Sequence, residues 1–382
     1  MATEIGQERW LAVVTDYASV NLATGRNIEE KFPTVFMVGC DTHNYNLLIK
    51  DICNRKNSTA IDDVLDLANS IINFVLNHRD LRVPFEETRK KFGITTGLKQ
   101  RCDTGFATNV LMLESLANNR SALNELEFKY KDAWENIRSD VKRRVQESIK
   151  DDSFWGKVSS ILGVLKPITN LIYLTELNQM YVENTYQSWL SLKKHLETVD
   201  LHDLIDRHDL MTISPFRWNF IHSPVHGFAF LLNPSTARSP MCKGVCVVRH
   251  KRYDDYRDTI KQMKEHFKDF FSSKDLGTEA FKEYEKFCQD LDGDETDNPR
   301  AFWATVGLQA YPTLAKVVSR IFQVQTSSAS AERGWPIMGF IESKSRNNMS
   351  TDTLEKLAFV KINNALCNKT SSVDWSLDED FF

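Results

Sequence analysis

"WLAVVTDYASVNLATGRNIEEKFPTVFMVGC", residues 10–40, reads as strand, helix, strand. The runs at 10–16 and 34–40 are rich in Val, Ala, Leu and Phe, whereas the stretch between them has helical spacing and ends at Pro33. Short β-branched and aromatic runs favour strands, and a proline stops a helix. A strand–helix–strand connection is right-handed, which makes its two strands parallel neighbours. Both runs are apolar on both faces, the pattern of a parallel strand covered on each side. Each closes on a chemically capable residue, Asp16 and Cys40, at the carboxyl end where open α/β sheets gather their chemistry. Two strands are too few for a sheet core, so further partners are expected.

Outward from this unit the pattern changes to helix. Apolar residues recur three and four apart through residues 61–78, 109–119, 121–149, 154–176 and 253–274. Turn-rich residues 233–244 and the acidic stretch 290–299 interrupt them. No internal repeat is visible. The last block predicts three helices: 312–322, one that carries Glu332, and 350–366 with Ser350 as N-cap and Asp352 in its first turn. Leu354, Leu357, Ala358, Ile362 and Leu366 give that final helix an apolar stripe, expected to be core. The Glu332 helix starts well at Ser328 but meets Gly334 and Pro336. If it ran on, Pro336 would forfeit the bond to the Glu332 carbonyl, at a cost of about 3 kcal/mol, so a break is expected there.

Composition narrows the functional classes. With 42% hydrophobic and 26% charged residues, 382 residues suffice for two or three domains with real cores. The 48 basic and 52 acidic residues give a net charge of -4, so a polyanion would have to meet a local patch rather than an overall field. Seven scattered cysteines, with no signal-like leader, fit a reducing, intracellular setting, nuclear or cytoplasmic, and leave the sequons at Asn57 and Asn119 idle. No apolar run approaches the roughly 18 residues that cross a bilayer. Neither a membrane nor a small-molecule substrate is expected as a partner.

These pieces resemble the hAT superfamily of DNA transposases. "AVVTDYASVNLATGRNIEEKFPTVFMVGCDTHNYNLLIKDI" (12–52) is similar to that family's segment of second catalytic aspartate followed by a Cys-x-x-His element, here Asp16 with Cys40 and His43. "FWATVGLQAYPTLAKVVSRIFQVQTSSASAERGW" (302–335) and "GFIESKSRNNMSTDTLEKLAFVKINN" (339–364) resemble the C-terminal dimerisation region that carries the catalytic glutamate, here Glu332. "RWNFIHSPVHGFAFLLNP" (217–234) is similar to a helix of the family's insertion domain.

The resemblance implies a mainly α protein with a small α/β part, a partial ribonuclease-H-like fold interrupted by a large helical insertion. On that reading residues 1–55 are the remnant of the sheet, 56–299 the insertion, 300–370 the dimerisation region and 371–382 an acidic tail. It also implies two aspartates and the glutamate holding two divalent metals, Mg²⁺ or Mn²⁺ in active members, for DNA strand cleavage and transfer. Asp16 and Glu332 are then the catalytic and metal positions, Cys40 and His43 structural, and Leu354, Leu357 and Ile362 dimerisation residues in a homodimer.

Departures shift the expectation. The family's first aspartate lies on an earlier strand, and no Asp precedes Asp16 here. Tyr17 stands for the usual asparagine, and Gly105 and Phe106 for a usual Arg-Trp pair. The expected protein is therefore transposase-derived and catalytically inactive, needing no cofactor, with Asp16 and Glu332 vestigial. The alternative is an active cut-and-paste transposase whose zinc finger and first catalytic strand are missing from this chain.

Other constellations read blandly. His222, His226, Cys242, Cys246 and His250 have zinc-like spacing, yet the first two fall in a packing helix and the cysteines in a loop. Lys142, Arg143 and Arg144, the run 249–257 and residues 344–346 are basic clusters that leave DNA as a further partner. Trp155, Trp218 and Trp303 sit in apolar helices as core.

Overall fold

The computed structural model describes residues 10–16, 18–54, 58–101, 106–137, 140–177, 180–202, 204–237, 256–271, 273–290, 298–341 and 350–367. Strand β1 is Ala12–Thr15 and β2 is Phe36–Gly39; they pair in parallel with Ala12 opposite Phe36 and Thr15 opposite Gly39. Helix α1, Ser19–Lys31, is the crossover. Gly25 is where it touches the sheet, since a Cβ there would lie 2.9 Å from the Met37 methyl carbon. Phe36 and Val38 are buried, but all four β1 residues are only partly so. The expectation of two fully covered strands fails for both, since β1 is partly buried throughout and β2 buries only the Phe36 and Val38 side.

The helices follow as α2 Asp41–Asn54, α3 Ser58–Asn77, α4 Arg79–Lys91, α5 Phe106–Asn118, α6 Arg120–Lys129, α7 Lys131–Glu135, α8 Val141–Lys150 and α9 Asp152–Glu176. Next come α10 Val182–Thr198, α11 Arg207–Ile221, α12 Pro224–Leu232, α13 Pro234–Ala237, α14 Tyr256–Phe271 and α15 Lys274–Asp290. The last six are α16 Pro299–Ala304, α17 Val306–Ala310, α18 Pro312–Ile321, α19 Ala329–Glu332, α20 Gly334–Ile341 and α21 Thr351–Cys367. The molecule is mostly helical with a small two-stranded parallel sheet. The continuous pattern over 121–149 is three helices, α6 to α8, not one.

The chain divides into two units. One comprises residues 1–44, 172–190 and 218–381. Its core gathers Phe36 and Val38 of β2 with α12, which is buried from Val225 to Leu232, and with Phe267, Phe287, Trp303, Leu314 and Ile321. Trp303 satisfies its indole N–H on the Leu232 carbonyl at 2.8 Å. Burying such an aromatic is worth a few kcal/mol only when its polar atom finds a partner. Helices α14 and α15 meet so closely at Gly277 that a Cβ would sit 2.5 Å from the Lys268 Cα.

The other unit comprises residues 45–171 and 191–217, and the elements among its described residues are all helices. Trp134 and Trp155 are buried there, and their indoles donate to the Leu126 and Ile149 carbonyls. Asn119 is fully buried, its amide bonded to the Thr96 and Ser115 carbonyls. Helix α9 corrects one expectation: by length and composition it could cross a membrane, and 56% of its most apolar window is buried. Phe154, Val158, Ile161, Leu165 and Ile168 fill the interior, so the same apolarity serves as core.

Two C-terminal expectations also change. The break in the Glu332 helix falls at Arg333, between α19 and α20, so Pro336 lies in the first turn of a new helix, where a missing N–H costs nothing. In α21 Ser350 does cap, accepting the Thr353 N–H at 3.3 Å. Its stripe is not uniformly core: Ala358 is buried and Leu354 partly so, but Leu357 is 43% exposed, beside Phe359 at 68% and Val360 at 63%. The Ile362 side chain lies outside the described residues, as do those of Leu366 and Phe106; Gly105, Tyr17, Asn57 and the tail 371–382 lie outside altogether.

Candidate functional site

The parallel register brings the ends of β1 and β2 side by side, and with them Asp16 and Cys40, whose N–H bonds the Thr15 carbonyl at 2.8 Å. Asp16 begins the turn into α1. Its Oδ1 accepts the Ala18 N–H at 3.1 Å and the Asn21 side-chain amide at 2.6 Å. The Ala18 and Asn21 bonds hold this half-buried carboxyl below its ordinary value. Cys40 precedes α2 and is fully buried, and His43 lies one turn on.

Glu332 arrives from the far end of the sequence, on the four-residue helix α19. The segment before it is stitched to the start of α2 almost residue by residue. The Asp41 N–H donates to the Thr326 carbonyl at 2.7 Å, the Thr42 and Ser327 hydroxyls lie 2.7 Å apart, and the Ser328 N–H reaches Cys40 Sγ at 3.3 Å. Thr42 also donates to Thr175 Oγ1 at 2.9 Å. From the other side Val182 N–H donates to the Val324 carbonyl, and Thr185 Oγ1 donates to Asp41 Oδ2 at 2.8 Å. The Ser328 hydroxyl lies 2.6 Å from Glu332 Oε1, and His43 Nδ1 faces that same oxygen at 3.8 Å.

The electrostatics follow from this packing. Burial pushes the Cys40 thiol up, but hydrogen bonds from His43 and Ser328 outweigh it and bring it down to about 6. His43 is raised by its bond to Cys40 against some burial, with Glu332 and Asp16 adding attraction. Asp41 is fully buried, which raises its carboxyl to about 7 in spite of its threonine partners.

The structure thus brings Asp16, Cys40, His43 and Glu332 to one place. Sequence reading missed Asp41, Thr42, Thr326 and Ser327, and took Ser328 only as a helix start; the one signal is the run of small hydroxylated residues 326–328. Asp16 and Glu332 alone would leave a divalent metal short of ligands. Among the described residues no group of three or more His, Cys, Asp or Glu is placed to hold an ion. Asp16 Oδ1 is occupied by two donors and Glu332 Oε1 by a hydroxyl, with His43 Nδ1 3.8 Å from that second oxygen.

The other candidates are not brought to this site. Leu354 and Leu357 lie on α21. Buried His226 accepts the Ser223 N–H through Nδ1 and burial lowers it to about 3, while Cys242, Cys246 and His250 lie outside the described residues. Lys142 donates to the Trp134 carbonyl and Arg143 pairs with Glu147, which leaves Arg144 exposed on that helix. Residues 344–346 and 249–255 are outside the described set.

Comparison with known proteins bears on the C-terminal part. No curated protein matches the chain. Residues 281–363 match the model of the hAT family C-terminal dimerisation region, a span that holds α16 to α20, Glu332 and the exposed residues of α21. The resemblance read from the sequence and this match agree over the C-terminal part, and the match supports a hAT-type transposase-related protein.

Proposed function

We propose that the protein acts by self-association, as a homodimer formed through residues 281–363. The observation that carries this is the coincidence of that matched region with exposed apolar side chains: Leu357 and Val360, three positions apart and so on one side of α21, stand exposed, and α21 packs on α20. Exposed apolar side chains clustered on one element are what a partner surface covers. In this reading β1, α1 and β2 are a portion of a ribonuclease-H-like sheet, the helical part between is the insertion, and the protein works in the nucleus or cytoplasm. Light scattering on the eluting native chain tests it. At micromolar concentration the mass should be twice the 44.0 kDa of one chain; a monomer mass at tens of micromolar would remove the proposal.

A second reading, DNA strand chemistry, is favoured by one observation, the convergence of Asp16, His43 and Glu332. The poor fit to metal weighs against it, so the carboxylates are taken as vestigial. No Mg²⁺- or Mn²⁺-dependent nicking of DNA by this chain is expected. Nicking that disappears in Glu332→Ala would reverse the order of the two readings.

A further inference from the structure

Glu332 poses a mechanical problem. Four-residue α19 is too short to stabilise itself, because one helical turn fixes several residues for a single bond, and it is followed at once by the break at Arg333. The carboxylate is nevertheless held. Ser328, which opens the turn, offers three groups: its carbonyl accepts the Glu332 N–H at 3.0 Å, its N–H points at Cys40 Sγ at 3.3 Å, and its hydroxyl lies between that sulfur at 3.2 Å and Glu332 Oε1 at 2.6 Å. The hydroxyl has one proton for two acceptors, and the nearer one has the stronger claim. The anchor of this turn is remote in sequence, since Cys40 is 288 positions from Ser328.

We infer that Cys40 is the positioning residue for Glu332: its sulfur accepts the Ser328 N–H at the start of the turn and seats the Ser328 hydroxyl where it donates to the carboxylate. Cys40 is fully buried at the end of β2, anchored by its N–H on Thr15, so the sulfur is a fixed point. Neighbouring bonds keep the register, with Asp41 on Thr326 and Thr42 on Ser327. His43 then meets a carboxylate whose position is already set. The low thiol value agrees, because the donors around the sulfur favour its anion. The role goes beyond self-association and does not rest on it.

The alternative is that Cys40 merely fills space, and hydrogen exchange on the full chain separates the two. In Cys40→Ala and in Cys40→Val, which fills volume without an acceptor, amides 328–333 should exchange about tenfold faster, the scale of one lost hydrogen bond. Cys40→Ser restores an acceptor and should stay within about threefold of the native chain. Amides of β2 and α3 report general loosening in each variant. If a variant is loosened throughout, the ratio of Cys40→Val to Cys40→Ser at 328–333, each normalised to α3, still decides. Protection in Cys40→Val equal to native, or Cys40→Ser no better than Cys40→Ala, would overturn the inference.

Discussion

Asp16 and Glu332 share a site but are held in opposite ways. Asp16 is fixed by Ala18 and Asn21, two and five residues away, in an exposed turn at the mouth of α1. Glu332 stands at the end of a segment whose partners Cys40, Asp41, Thr42 and Thr185 are more than a hundred positions distant and mostly buried. One carboxylate is placed by local chemistry, the other by the tertiary fold. The contrast locates the fragile half of the site. Damage to the first half should stay local, whereas damage to the second should spread into stability.

The largest expected effect is on the buried side, at Asp41. Its carboxyl keeps its proton to about pH 7 in the folded chain but to about 3.8 when unfolded. Between those values the folded state binds more protons, so stability declines as pH rises from about 4 to 7. The loss is a few kcal/mol at most, because each tenfold change in proton affinity is worth roughly 1.4 kcal/mol. Asp41→Asn should remove that decline. His226 and His266, lowered by burial to about 3 and 4, act in the opposite sense and are common to both proteins, so the native-minus-variant difference reports Asp41 together with its coupling to the neighbouring Cys40, itself at about 6. Urea midpoints at pH 5 and 8 supply it; identical pH dependence in the two proteins would break the buried half of the comparison.

A smaller effect compares the halves directly. Thr42→Val removes two buried hydroxyl bonds, to Ser327 and Thr175, which keep Ala329 and Ile172 as partners, and should cost about 1–3 kcal/mol. Asn21→Ala removes the part-buried 2.6 Å bond to Asp16 and should cost under about 1 kcal/mol, less than Thr42→Val. Equal losses would mean that the Asp16 turn is tied into the core after all.

The same contrast explains what the sequence disclosed. The β–α–β unit was legible because its signals are local: two apolar runs, a proline, and polar residues at both strand ends. Asp16, Cys40, His43 and Glu332 were legible as a set only through resemblance. The clasp was not, because Thr42 and Ser327 are ordinary residues until the fold sets them 2.7 Å apart. Pro336 misled for a related reason: the rule for an interior proline holds, but the chain restarts its helix at Gly334 and makes the position a first turn. Leu357 belongs to a helical stripe that periodicity alone assigns to a core, and its 43% exposure turns it outward within one chain.

That exposure also gives the sharpest test of self-association through residues 281–363. A charge at a true core position costs several kcal/mol, whereas at an exposed interface position it spares the monomer and removes the partner. Sedimentation equilibrium of native chain and Leu357→Asp, with urea midpoints of both at matched low concentration, distinguishes the two. A native dimer, a monomeric variant and midpoints that agree are the expected outcome. A variant that still dimerises, or one that loses association only together with its stability, would refute an interface on α21.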